Sequence, residues 1–348
     1  MQPELTRPRC PGFMLASREN VHRLRDAMPL RLEQTLLGDI GATNARFSLL
    51  TDGALGPVSN IEVARYAQFP DAVTAFLDKH RDQAPVTRAL LAVAGPVEDE
   101  RCKLTNCPWT IDGDTLRTTF HLERVRIVND FAATAYSLPH LTAADVHAIG
   151  GGRAEPGAPM AVLGPGTGLG VACLAPSASV PVVIAGEGGH ATIAAASDRE
   201  DAVIDQLRRR FGHVSAERAV SGAGLENLYQ AIAALDQSEA PARDAAEISK
   251  AALDGSCRTA AAALDMFCAL LGSVAGNVAL MFGARGGVYI AGGMAPRIAA
   301  FMARSQFRRR FEDKGRMRPY LEAIPSNVVV NSAAAFVGLK SLVDHGES

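Results

Sequence analysis

Apolar positions in this chain fall into short dense runs separated by glycine-rich polar turns. LLGDIGATNARFSLL, residues 36–50, begins and ends apolar and turns in its polar middle, so it predicts two strands around a tight turn. IEVARYAQF predicts a further short strand, and DAVTAFLDKHRD has helical spacing with Val73, Phe76 and Leu77 on one face. RALLAVAGPV is a buried strand that meets a loop at Gly95-Pro96. RVRIVNDFAATAYSL gives a strand, then Asn129 and Asp130 at its end, then a helix. MAVLGPGTGLGVACLAP repeats strand, glycine turn, strand, which suggests an internal duplication with one polar turn per half. DREDAVIDQLRRRFG reads as an amphipathic helix, GGVYIAGGMAP as a strand and turn, and VVVNSAAAFVGLKSLVD as a strand then a helix.

This order predicts two α/β domains flanking a cleft. Residues 31–140, completed by a C-terminal helix within 331–348, form the smaller domain, and 141–330 the larger. The boundary falls in the glycine- and proline-rich stretch 139–158. Residues 1–30, broken by Pro3, Pro8 and Pro11, read as a flexible extension. The longest apolar region, Thr259 to Gly293, is interrupted by Asp265, Ser273 and Asn277. It reads as a buried helix feeding a core strand rather than a membrane span. RSQFRRRFEDKGRMRPY is strongly basic, but Phe307 and Phe311 stand four apart with Glu312 and Asp313 interleaved. A solvated amphipathic helix fits it better than a nucleic-acid patch.

Composition narrows the picture. At 48% hydrophobic residues the 348-residue chain can bury a sizeable core, and a net charge of -2 gives no case for a broad nucleic-acid surface. None of the 6 cysteines has CxxC spacing, so neither a disulfide framework nor a zinc knuckle is expected. Solitary thiols and the lack of a membrane span make the cytoplasm the expected compartment.

Candidate chemistry lies at the polar turns. The glycines at 38, 41, 164, 166, 168 and 170 can present backbone N–H groups to an anion, and Thr43 and Thr167 add hydroxyls. Each turn alone can simply be a sharp turn; two similar turns, one carrying Asp39, point to phosphate. Asp39 would repel phosphate directly and so calls for Mg²⁺ bound through water. There is no GxxxxGK[ST] motif, and GPGTGLG leads into strand-like VACL instead of a helix, against a nicotinamide nucleotide. Asp130 can cap the helix that it opens, or take a proton from an attacking alcohol. Glu187 and His190 in GEGGH can reach one small ligand. With no third ligand nearby, polyhydroxyl binding fits them better than metal. Glu217 in HVSAERAVSG reads locally as a solvated charge at a helix end.

Taken in order, LLGDIGATNARF, IVNDFAATAYSLP, LGPGTGLGVA, GEGGH, HVSAERAVSGAGLENLY, GGVYIAGGMAPR and FRRRFEDKGRM closely resemble the bacterial glucokinase family, the type without a zinc cysteine motif. The resemblance runs from about Gly38 to the C-terminal helix. It implies an α/β, two-domain actin-like (ribonuclease H-like) ATPase fold and transfer of the γ-phosphoryl group of Mg-ATP to the 6-hydroxyl of glucose. It also implies a homodimer, with neither nucleic acid nor membrane as partner. Asp130 would be the catalytic base; Asn129, Glu187, His190 and Glu217 would bind sugar together with it. Gly38, Asp39, Ile40, Gly41, Ala42 and Thr43 would form the first phosphate loop, with Asp39 near magnesium. Gly164, Gly166, Thr167 and Gly168 would form the second, and Gly292 and Gly293 would approach the nucleotide. Ala42 departs from the glycine common at its position, and it is expected to have no positive φ. A kinase for another hexose or amino sugar, a sugar-sensing regulator on the same fold and a general actin-like ATPase are the competing readings.

Overall fold

The computed structural model describes residues 33–81, 84–104, 107–178 and 180–346. The expected extension at 1–30 lies outside these residues.

Two mixed sheets carry the described chain. The first contains β1 (Gln34–Ile40), β2 (Asn44–Thr51), β3 (Ala54–Leu55), β4 (Ser59–Glu62), β5 (Val86–Val93) and β8 (Arg124–Asn129), with β6 (Arg101–Lys103) and β7 (Thr110–Asp112) as a separate ribbon. The second contains β9 (Val146–Gly150), β10 (Met160–Pro165), β11 (Leu169–Ala175), β12 (Val182–Gly186), β13 (Gly287–Ile290) and β14 (Ser326–Val329). Each sheet holds the same unit: an antiparallel hairpin (β1–β2, β10–β11) whose first strand continues into two parallel strands (β5 and β8, or β13 and β14). The duplication read from the glycine turns is present in the pairing.

The helices are α1 (Phe69–Leu77), α2 (Gly113–Phe120), α3 (Asp130–Ser137), α4 (Asp198–Phe211), α5 (Ala216–Ala219), α6 (Gly222–Leu235), α7 (Ala245–Leu253), α8 (Arg258–Phe282), α9 (Ala295–Arg304), α10 (Phe307–Glu312), α11 (Arg318–Glu322) and α12 (Ala334–Asp344). In α1, a capping box between Gln68 and Asp71 starts the helix, and Phe69, Ala72, Val73 and Phe76 bury one stripe. In α4, Ser197 caps the start, acids fill the first turn and Arg208–Arg210 the last, in keeping with the helix dipole. By length and composition α8 could cross a membrane, but 72% of its apolar window is buried inside the protein. It packs in the core of the second sheet and leads to β13, as its pattern predicts. Gly272 and Gly276 let the backbone of α10 approach α8: a Cβ at either would come within 2.2 and 2.5 Å of the Phe307 and Phe311 carbonyl oxygens.

Two expectations need correction. IEVARYAQF is strand only to Glu62. Val63 donates its N–H to the Thr43 carbonyl, and the chain leaves the sheet edge in a 3-10 turn over Val63–Arg65. The basic run at 304–320 is not a solvated helix. Phe307 and Phe311 are fully buried, and Arg310 is buried in a bidentate ion pair with Glu200. Arg308 donates to the Ile324, Leu321 and Glu322 carbonyls, so its charge serves internal bonds.

Helix α3 sits between the sheets. Its Ala133 packs in a cluster with Leu37, Leu90 and Phe336, while its Ala135, and Leu138 just after it, pack with Val162, Ala172 and Val329 of the second sheet. Helix α12 crosses α3 so closely that a Cβ on Gly338 would lie 1.8 Å from the Ala133 carbonyl oxygen.

Candidate active site

The parallel register of the first sheet aligns Ile40 with Val93 and Val93 with Asn129. Three strands therefore end together, delivering the Gly41–Thr43 turn, the Gly95-Pro96 loop and the Asn129-Asp130 pair to one carboxyl edge, where open α/β sheets place their ligands. In the second sheet Leu163 aligns with Ile290 and Ile290 with Val328, so the Gly166–Gly168 turn and Gly292-Gly293 share an edge in the same way. Gly292 has φ of 88° and lies against the Pro165 carbonyl.

Asn129, not Asp130, caps α3. Its side-chain oxygen accepts from the N–H groups of Phe131 (2.9 Å) and Ala132 (3.3 Å), and its amide donates to the Gly95 carbonyl at 3.1 Å. The Asn129 side chain also hydrogen-bonds the Asp130 carboxylate, which favours its charged form. Asp130 Oδ1 shares the Phe131 N–H at 2.9 Å, which holds the carboxyl at the strand edge. Burial pushes its carboxyl up to about 6, the nearby Asp39 charge adds to the rise, and the Phe131 N–H opposes it. Asp39 and Asp130 therefore feel each other across the edge. Behind them sits Cys102, buried, its sulfur near Gly95 and its thiol pushed up first by burial and then by the Asp130 charge.

The glycines divide into two groups. Gly41 and the exposed Thr43 stand in the first turn, and the half-buried Gly166 and Gly168 flank the exposed Thr167 in the second. Gly38 and Gly164 lie buried inside strands instead, and packing explains them. A Cβ on Gly38 would meet Leu91 at 2.6 Å, and one on Gly164 would meet Phe131 at 1.9 Å. Ile40 is fully buried beneath the first turn. Ala42 is absent from the non-glycine residues with positive φ among the described residues, so alanine is unstrained there, as expected.

Asp39 forms an ion pair with Arg46, its cross-strand partner. Arg46 also donates to the Ser332 carbonyl, and its guanidinium stands 5.7 Å from the Phe336 ring centroid. Among the described residues no group of three or more His, Cys, Asp or Glu side chains gathers as a metal centre. A lone carboxylate beside a glycine turn could hold a magnesium ion that keeps most of its waters.

Glu187 and His190 stand beside each other on an exposed turn, Oε2 to Nε2 3.9 Å. That turn packs on β11: a Cβ on Gly188 would touch Val171, and one on Gly189 would clash with the Leu169 carbonyl oxygen. Glu217, second residue of α5, accepts the Leu169 N–H at 3.0 Å. The turn that carries Glu187 and His190, through Gly189, and the Glu217 carboxylate thus both lie against Leu169, one residue beyond the second glycine turn. Phe131, adjacent to Asp130, lies against Gly170 on the same strand. The sequence marked Gly95 as a strand end without giving it a role, and did not assign a role to Cys102, Phe131, Arg46 or Leu169. Only Gly95, at the end of a dense apolar strand, carried a readable signal.

The glucokinase family model matches residues 36–345. The chain is 46% identical over 315 residues to a glucokinase of Paramagnetospirillum magneticum, covering 89% of this chain and 98% of that one. It is 43% identical to a glucokinase of Nitrobacter hamburgensis, covering 88% and 96%. Among solved structures, a glucokinase from an Antarctic psychrotroph superposes with a TM-score of 0.82 at 36% identity, covering 89% of this chain and 98% of that one. The chain belongs to the bacterial glucokinase family, the ATP-dependent, non-zinc hexose phosphotransferases built on a two-domain actin-like ATPase fold.

Proposed function

We propose that this protein transfers the terminal phosphoryl group of ATP to the 6-hydroxyl of D-glucose, giving glucose 6-phosphate for glycolysis. The observation that carries the reading is the shared strand edge of Asp39 and Asp130, with the Asp130 carboxyl raised to about 6 by burial and by Asp39. A carboxylate of that basicity is a better proton acceptor than an ordinary one, yet still ionised at neutral pH. Asp130 orients the sugar hydroxyl and takes its proton as the new oxygen–phosphorus bond forms and the bond to ADP breaks. Asn129, Glu187, His190 and Glu217 hold the other hydroxyls. Backbone N–H groups of the two glycine turns cradle the phosphates, and Gly292 and Gly293 admit the nucleotide. Magnesium, held through water by Asp39, would supply charge neutralisation at the phosphate oxygens. Residues 31–140 with 331–348 close against 141–330 on sugar, excluding water as the acceptor. We further propose a homodimer resident in the cytoplasm, testable by sedimentation equilibrium and cell fractionation.

The direct test is an assay of purified protein with Mg-ATP and glucose, measuring ADP and glucose 6-phosphate together. Fructose, mannose, an amino sugar and no sugar run in parallel. Equal amounts of both products, absent without sugar, support the proposal. Turnover only with another hexose moves the substrate assignment, and ADP release without sugar removes the closure argument.

A further inference from the structure

The second glycine turn is held from outside by one corner of the chain, the segment from Glu217 to Gly222. At one end of the turn, Glu217 Oε2 accepts the Leu169 N–H at 3.0 Å. Gly168 makes this approach possible, since a Cβ there would stand 2.5 Å from the same oxygen. At the other end, Gly222 donates its N–H to the Gly166 carbonyl at 2.8 Å. The corner is itself braced. Ser221 Oγ donates to the Glu217 carbonyl at 2.8 Å and accepts the Gly224 N–H at 2.9 Å, capping α6. Ser215 caps α5, and Ala216 donates to the Ala191 carbonyl at 2.8 Å, tying the corner to the GEGGH turn. Within the turn, Gly166 donates to the Gly168 carbonyl at 2.9 Å. The conformation of residues 166–169 therefore rests on bonds at both ends.

A carboxylate near a phosphate site is electrostatically unfavourable, so its presence calls for a reason. A charged acceptor makes a stronger bond to a backbone N–H than a neutral one does. We infer that Glu217 is a positioning residue of the second phosphate turn, setting nucleotide affinity in the absence of sugar as well as serving the sugar. The inference rests on the proposed kinase reading and adds a role that sugar contact alone does not supply.

The test is ADP binding by isothermal titration, without any sugar, in the full chain and its Glu217 variants. Glu217→Ala removes the acceptor, and the ADP Kd is expected to rise at least about fivefold, as for loss of one hydrogen bond. Glu217→Gln keeps an acceptor oxygen at the same reach but loses the charge, and its Kd is expected to fall clearly between wild type and the Ala variant. This partial rescue separates positioning from general loss of structure, which thermal unfolding monitors in parallel. Where Glu217→Ala fails to fold, Glu217→Asp carries the test, because its shorter side chain withdraws from Leu169. Wild-type ADP affinity in the Ala or Asp variant overturns the inference, as does a Gln variant as weak as Ala. A wild-type protein that binds no ADP at all overturns the kinase reading itself, and the inference with it.

Discussion

The ring of Phe131 lies against the bare Cα of Gly164, where a Cβ would come within 1.9 Å of Cζ. The same ring covers Gly170, the cross-strand partner of Gly164. The residue after Asp130 is thereby seated on the hairpin that carries the second glycine turn, fixing the two relative to each other. Gly164→Ala is expected to cost about 1–3 kcal/mol of stability through overpacking and to lower kcat. Phe131→Leu in the same chain should recover part of the loss. Urea unfolding of both single variants and the double variant checks this, and strictly additive costs would sever the proposed link.

The raised Asp130 carboxyl should be visible in the pH dependence. The acid limb of kcat/KM is expected near pH 6, with activity rising as Asp130 loses its proton. The folded value lies above the ordinary 3.8, so the folded protein holds this proton more tightly than the unfolded chain does. The stabilisation is fully present below about pH 4 and is lost as pH rises to about 6. Asp130→Asn should therefore abolish turnover yet unfold at higher temperature than wild type at pH 7.5, by roughly 2–3 kcal/mol in stability. That advantage should shrink to nothing by about pH 4. Thermal unfolding at both pH values decides the matter; an unchanged Tm at pH 7.5 would contradict the burial of a charged Asp130.

Arg46 ties the strand of Asp39 to the entry of α12 through Ser332 and Phe336. A lysine cannot bond Asp39 and the Ser332 carbonyl in a fork while also lying over a ring. Arg46→Lys is expected to lose about 1–2 kcal/mol in chemical denaturation. Stability equal to wild type would show that the clamp adds nothing to the packing beneath it.

The Glu200–Arg310 pair is buried on both sides and joins α4 to α10. Removing either partner strands a charge in the core, so Glu200→Ala and Arg310→Met should each cost about 3–5 kcal/mol. The double variant should cost less than either single one. A double-variant cost equal to the sum of the singles would mean that each residue acts through other contacts.

Much of the fold was legible because its signals are local. Alternation in NARFSLL, the dense run RALLAVAG and the glycine turns marked the strands and their ends, and the paired turns foretold the repeated sheet unit. What escaped depends on partners distant in sequence. Gly38 and Gly164 looked like turn glycines, but their reasons are Leu91 and Phe131. Arg310 looked solvated because Glu200, its partner, lies 110 residues away. Glu217 looked like a surface charge, since nothing near it in sequence points to Leu169. The choice of Asn129 over Asp130 as helix cap turned on side-chain orientation, which adjacent polar residues do not encode.

Helix α12 closes one face of the first sheet, where Phe336, Leu339 and Leu342 cover Leu37, Leu50 and Leu90. Translation delivers those strands early and this helix only after the whole second sheet has been made. During synthesis the half-built first sheet leaves the ribosome with an uncovered leucine face. A chain that stops just ahead of residue 334 is therefore expected to clump rather than to behave as a slightly shorter enzyme.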